Sequence, residues 1–189
     1  MKIIDNLKKS YNIMFKIYFQ KIKKQISKKR IKMSIIKAKE YLKQFNLDSE
    51  VMEFPVSSAT VEEAAKAINC EEKEIAKSLS FLVEDKPILI VVAGDCKIDN
   101  SKYKAEFSTK AKMIPFEKVE ELIGHGVGGV CPFGLNENVI IYLDESLKKL
   151  KIVYPACGSS NSAIKLTVDE LEKIVNYKKW VDVCKCIES

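Results

Sequence analysis

Leu79-Ser-Phe-Leu-Val-Glu-Asp-Lys-Pro-Ile-Leu-Ile-Val-Val-Ala93 is two runs of strand-forming residues around a polar break. Leu79 to Val83 and Ile88 to Ala93 flank Glu84-Asp85-Lys86-Pro87, a pattern that predicts a β-hairpin. The second run is apolar without alternation, which predicts a strand covered on both faces. Such a strand needs a layer of structure on either side of it.

The flanking sequence supplies those layers. Upstream, Val51 to Ser57 reads as a strand, and Thr60-Val-Glu-Glu63 fits a capping box opening a helix over Val61 to about Asn69. A second short helix is expected from Glu71 to about Ile75. Downstream, Asp99 to Phe107 and Pro115 to Ile123 read as helices. Val139 to Leu143 reads as another buried strand, and Asp144 to Lys149 as a single helical turn. Ile152 to Tyr154, Ile164 to Leu166 and Trp180 to Val183 complete the strands, with a helix capped at Thr167-Val-Asp-Glu170 and reaching about Val175. Strands and short helices mixed in this irregular order predict one α/β domain with a mixed, curved sheet.

The chain has 189 residues, 47% of them apolar and 31% charged, which suits one well-buried soluble domain. The six cysteines are irregularly spaced and mostly inside apolar runs, so they read as core or incidental thiols in a reducing cytoplasm. No run reaches the roughly 20 apolar residues that span a bilayer.

The net charge of +6 is unevenly spread. Residues 1–32 hold eleven Lys and Arg against one acid, Asp5, and sum to +10, so residues 33–189 sum to −4. Within the basic segment Ile4, Leu7, Tyr11, Met14, Tyr18 and Ile22 recur at spacings of three and four, as on one stripe of a helix. The segment therefore reads as a membrane-surface helix, an arm on RNA phosphates, or an extension that the folded body does not need. We favour the last, with no stable membrane association. Met33-Ser34 opens a new helical pattern through Ile35, Ile36, Ala38, Tyr41, Leu42 and Phe45. The expected division is thus a basic extension at 1–32, helical or disordered, and a domain at 33–189.

Gly124-His-Gly-Val-Gly-Gly-Val-Cys-Pro-Phe-Gly134 holds five of the seven glycines and the only histidine. Glycine is placed where φ is positive or no side chain fits. The segment is either a long connection between strands or a loop whose bare peptide groups line a ligand. His125 with Cys131 or Ser159 could form a nucleophile–base pair, but neither a Gly-x-Ser-x-Gly motif nor a cysteine-hydrolase signature accompanies it. A zinc site would have to draw on His125, Cys131, Cys184 and Cys186, with no Cys-x-x-Cys pair, so no metal is expected. Phosphate-loop and dinucleotide motifs are missing too, and no cofactor is expected. Lys77, in Ile75-Ala-Lys-Ser-Leu-Ser-Phe81, either snorkels to solvent at a strand's end or points into a cleft as a fixed cation.

These stretches together resemble the YbaK/ProX-like family, the free-standing prolyl-tRNA editing domains related to those inserted in bacterial prolyl-tRNA synthetases. The resemblance covers Met33 to the C-terminus. It rests on Ser57-Ser-Ala-Thr-Val-Glu-Glu-Ala-Ala65, Ile75 to Phe81, Val91-Val-Ala-Gly-Asp95, Gly128-Gly-Val-Cys-Pro-Phe-Gly134, Val153-Tyr-Pro-Ala-Cys-Gly158 and Asn161-Ser-Ala-Ile164. It implies a mixed sheet curled into a partial barrel with helices around it. The implied activity is a cytoplasmic aminoacyl-tRNA deacylase that hydrolyses mischarged tRNA with help from the substrate's own 2′-hydroxyl or thiol. By position, Lys77 matches the family's required lysine, placed near the terminal phosphate and adenosine. Gly128, Gly129, Cys131, Pro132, Phe133 and Gly134 match the loop around the aminoacyl group. Ala156, Gly158, Ser159 and Asn161 match further pocket positions. The partner implied is a tRNA acceptor end, with prolyl-tRNA synthetase as a second candidate. Ala156-Cys-Gly-Ser-Ser-Asn161 departs from the Ser-Gly-Gly-Lys-Arg-Gly run of many cysteinyl-specific members, and Ala163 stands where they place an acid. The expected substrate is cysteinyl-tRNA(Pro), then alanyl-tRNA(Pro). The alternative is a non-catalytic module that binds tRNA or a synthetase.

Overall fold

The computed structural model describes residues 2–56 and 58–187, with side chains described at 14–22, 25 and from 33 onward. The side chains of Ile4, Leu7 and Tyr11 in the expected apolar stripe, and Ser57 at the end of the expected first strand, lie outside that description.

Helix α1 (Lys2–Lys43) is uninterrupted and crosses the expected boundary after residue 32 without a break. Its docked part presents Ser34, Ala38 and Leu42, one turn apart, to the body, and all three are buried. Small residues there let two loops approach the helix backbone closely. Met14 and Tyr18, further up the same helix, are 62% and 63% exposed.

After strand β1 (Met52–Glu53) comes helix α2 (Val61–Ile68), where the Thr60 hydroxyl accepts from Glu63 N at 3.1 Å. The segment expected as a short helix is a 3-10 turn over Glu72–Glu74 that leads directly into β2 (Ile75–Val83). The predicted hairpin forms with β3 (Lys86–Ala93), but its turn is only Glu84-Asp85, both at positive φ. Two such residues match the right-handed twist of the strands they join. Pro87 sits opposite Leu82, a pair that exchanges no ladder hydrogen bonds, so its missing N–H is tolerated.

The chain continues through β4 (Cys96–Ile98), α3 (Asn100–Phe107), α4 (Phe116–Ile123), β5 (Ile140–Asp144) and β6 (Ile152–Pro155). The strand expected at Ile164 to Leu166 is two shorter ones, β7 (Ser162–Ala163) and β8 (Leu166–Thr167). Helix α5 (Val168–Ile174) has the full capping box between Thr167 and Glu170, and β9 (Tyr177–Val181) and β10 (Cys184–Cys186) end the fold.

Six strands form one mixed sheet in the order β8-β6-β2-β3-β5-β9, curled into a half-barrel with helices around it. The hairpin lies at its centre, antiparallel, with β6 parallel to β2 on one side and β5 and β9 parallel on the other. β3 is buried from Pro87 to Ala93, as an unbroken apolar run should be. Phe81, Tyr103, Phe107 and Tyr142 meet in a chain of tilted and edge-on rings, with centroids 4.7–5.2 Å apart.

Two of the cysteines depart from their expected role. Cys96 and Cys186 are joined in a disulfide between β4 and β10, where the sequence pattern predicts incidental thiols; Cys70, Cys131, Cys157 and Cys184 are free.

Candidate functional site

The hairpin register gives β2 an open edge. In a two-residue hairpin the odd-numbered residues of β2 exchange hydrogen bonds with β3, so the even-numbered ones turn their N–H and C=O outward. Ala76 is taken up by β6, opposite Pro155. Ser80 C=O accepts from Ile114 N at 3.1 Å, and Leu82 N donates to Lys112 C=O at 2.9 Å. Ser78 falls between these two neighbours with its peptide groups facing a gap. Its hydroxyl is buried and makes no hydrogen bond among the described residues.

A cavity of about 540 Å³ occupies this gap. Its floor is Ile75 to Ser80. The start of α2 (Ser58, Thr60, Val61, Ala64) forms one wall, Met113, Ile114, Phe116 and Val119 another, and Val127, Gly128, Val130, Ala156 and Ala163 a third. A mostly apolar pocket with a few convergent polar groups, in the size range of small-ligand sites, is the form such sites take.

Lys77 also lines the cavity, and with Leu79, Phe81, Met113 and Cys96, one of its two carbonyl partners, it lines a second one of about 380 Å³. It is neither at the strand's mouth nor snorkelled, because β2 begins at Ile75, four residues earlier than the hairpin pattern suggested. Its ammonium donates to Gly94 C=O at 2.9 Å and to Cys96 C=O. Burial lowers its pKa below the ordinary lysine value, against smaller opposing contributions from nearby Cys184 and Asp95. An ammonium has three N–H groups, so one remains for a ligand.

The expected loop residues divide into two groups. Gly128 and Ala156 stand on the cavity wall with Lys77. Cys131, Pro132 and Phe133 are buried in the layer behind it, and Gly129, Gly158 and Ser159 are buried with them. A Cβ on Gly129 would lie 2.6 Å from the backbone of Gly158 and Ser159, so here glycine lets two loops touch. On Gly134 it would lie 2.6 Å from Lys37 C=O, and on Gly158 2.4 Å from Ser34 C=O, both on α1. These three glycines serve packing and do not leave bare peptide facing a ligand. Asn161 is a brace: its amide donates to Phe54 C=O and its Oδ1 accepts from the Ser159 hydroxyl.

The nucleophile–base arrangement is also placed. His125 is fully buried, its Nε2 2.7 Å from Phe133 C=O and 3.7 Å from Cys131 Sγ. Its pKa is lowered by burial, and burial drives the Cys131 thiol up to about 12. A buried neutral thiol is not a nucleophile at neutral pH. Among the described residues, the side chains grouped closely enough to hold a metal are Asp95, Cys96 and Cys186, two of which form the disulfide.

Sequence reading missed Ser78, the α2 wall and the Met113–Phe116 wall. Ser78 stood next to Lys77 in a quoted motif, but its significance depends on which partners the strand edge lacks. No local pattern encodes that.

Comparisons with known proteins bear on the family and the fold. The family model of the aminoacyl-tRNA editing domain matches residues 56–174, which contain the whole cavity. The uncharacterized protein YwhH of Bacillus subtilis strain 168 is 51% identical over 154 residues, covering 81% of this chain and 98% of that protein. The proline–tRNA ligase of Aquifex aeolicus is 32% identical over 94 residues, 49% of this chain but only 16% of the ligase. A solved structure described as a candidate trans-editing enzyme for prolyl tRNA synthetase superposes with a TM-score of 0.73 at 30% identity, covering 80% of this chain and 97% of that one. With half-barrel, cavity and matched span all in register, the chain belongs to the aminoacyl-tRNA editing domain family.

Proposed function

We propose that the chain hydrolyses the ester of mischarged tRNA, with cysteinyl-tRNA(Pro) as the first substrate and alanyl-tRNA(Pro) as the second. The observation that carries this is the unpaired edge of β2 at Ser78, open to a cavity that the neighbouring Lys77 also lines. The ammonium meets the phosphate end of the acceptor terminus. The Ser78 hydroxyl and peptide groups, with Gly128 opposite, hold the aminoacyl ester.

The chemistry asks little of the protein. An aminoacyl ester is already activated, and its neighbouring 2′-hydroxyl is held close enough to take part. Preorganised donors at the carbonyl oxygen typically contribute about 3 kcal/mol each to such a step. The small apolar walls at Ala64, Ala156 and Ala163 admit a small side chain. Discrimination by one methylene is worth roughly 1–3 kcal/mol.

The test is deacylation of a panel of charged tRNAs by the purified full-length protein. Hydrolysis of cysteinyl- or alanyl-tRNA(Pro) that Lys77→Ala removes supports the reading; an undiminished Lys77→Ala rate rejects the site. One observation favours a second reading. Among the described residues that line the cavity, no histidine, cysteine or carboxylate stands ready as general base, since His125 and Cys131 lie behind the walls. Binding of tRNA without hydrolysis of any ester would identify a recognition module that docks on tRNA or a synthetase.

A further inference from the structure

The clamp on Lys77 has an unusual mooring. Cys96 is opposite Cys186 in the β4–β10 pair, flanked by the bonds Ile187 N to Asp95 C=O and Asp99 N to Val183 C=O. That alternation makes Cys96–Cys186 a pair without ladder hydrogen bonds, where facing side chains come closest. The Cys96 carbonyl therefore points away from β10, and Lys77 takes it. One residue thus binds the C-terminal strand through its sulfur and the Lys77 ammonium through its carbonyl. β10 is three residues long, and the sulfur link ties its last residue to the body.

Resting on the reading of Lys77 as the working cation, we propose that Cys96 and Cys186 form a reversible thiol–disulfide site that sets how firmly Lys77 is held. The oxidant is a low-molecular-weight disulfide. The Cys186 thiolate, on the partly exposed side, attacks one of its sulfurs and expels one thiolate. The Cys96 thiolate then displaces the second, closing the protein S–S bond. Two cysteine thiols are oxidised, one small disulfide is reduced to two thiols, and the two protons pass to those thiols. Closed, the bond fixes β4 and the Lys77 acceptor. Open, the end of β10 is free to fray and the ammonium is less restrained.

The full-length protein equilibrated in glutathione buffers of graded ratio, alkylated after denaturation and weighed, should pass from six reactive cysteines to the four free ones. Reductive methylation mapped by peptide should be several-fold faster at Lys77 in the reduced protein and unchanged at exposed Lys66. Deacylation should be several-fold slower when reduced. A Cys96→Ser/Cys186→Ser variant should match the reduced protein in every buffer. Six alkylated cysteines at all ratios would overturn the proposal, as would zinc uptake by the reduced pair with Asp95 in place of a disulfide, or Lys77 methylation indifferent to redox state. Deacylation absent in both states, with Lys77 reactivity still following the buffer, would overturn the deacylase reading and leave this inference standing.

Discussion

The glycine-rich segment 124–134 and the open edge of β2 both expose unadorned backbone, but to different neighbours. In the first, Gly129, Gly134 and, across from them, Gly158 let loop meet loop and loop meet α1, at distances no Cβ could share. In the second, ordinary residues leave peptide groups unpaired because β6 ends and the 112–114 segment begins a few residues apart. The lesson is that glycine content reports close approach, whereas a binding surface can be made by an absence of strand pairing.

Substitutions separate the two regions. Gly158→Ala forces a side chain into positive φ and against Ser34 C=O, so it should cost about 3 kcal/mol, roughly 6–12 °C in Tm. The protein that remains folded should deacylate normally; a lost rate with intact Tm would return the loop to the site. Lys77→Ala should do the reverse, lowering deacylation about 100-fold, or roughly 2.7 kcal/mol, with little change in melting.

A pH series sharpens that contrast. Burial disfavours the charged form of Lys77, so its folded pKa lies below the ordinary 10.5. Enzyme-dependent deacylation should fall as pH rises through that lowered value, before exposed lysines titrate. Lys77→Arg, whatever its rate, should show no such fall. Stability should move the opposite way: the cost of burying the cation diminishes as pH rises from the lowered value towards 10.5, so the protein gains stability over that window while the rate falls.

Ser78→Ala is expected to be smaller and oppositely weighted. Removing an unpartnered buried hydroxyl should leave stability unchanged or slightly higher, while deacylation drops roughly 3- to 10-fold, the worth of about one hydrogen bond. Smallest of all, Gly126→Ala should be silent within about 0.5 kcal/mol, because a Cβ there meets nothing within 4 Å. A large effect at Gly126 would mean that a ligand approaches the loop after all.

Much of the fold was legible where one short rule governs it. The apolar run Ile88 to Ala93 gave a strand buried on both faces, and Thr167 with Glu170 gave a full cap. Strands β4 and β10 escaped because three residues are too few to show alternation, and their disulfide escaped because spacing alone does not pair cysteines. Lys77 was readable as a candidate from its place beside an apolar strand. Its two carbonyl acceptors, Gly94 in the β3–β4 turn and Cys96 at the start of β4, lie seventeen and nineteen residues on, and no local pattern joins them to it. The glycine segment was legible as special but not as to its neighbour, since φ and crowding constrain glycine alike whether the other party is a ligand or a helix.

An unpaired strand edge is ordinarily an invitation to other chains, which can add a strand of their own and propagate. Here the vacancy is one outward-facing residue wide, closed at one end by β6 and at the other by residues 112–114. That is too short to register an incoming strand but wide enough for a compact polar guest. The half-barrel can therefore keep hungry backbone on display in a crowded cell without becoming a seed for fibres.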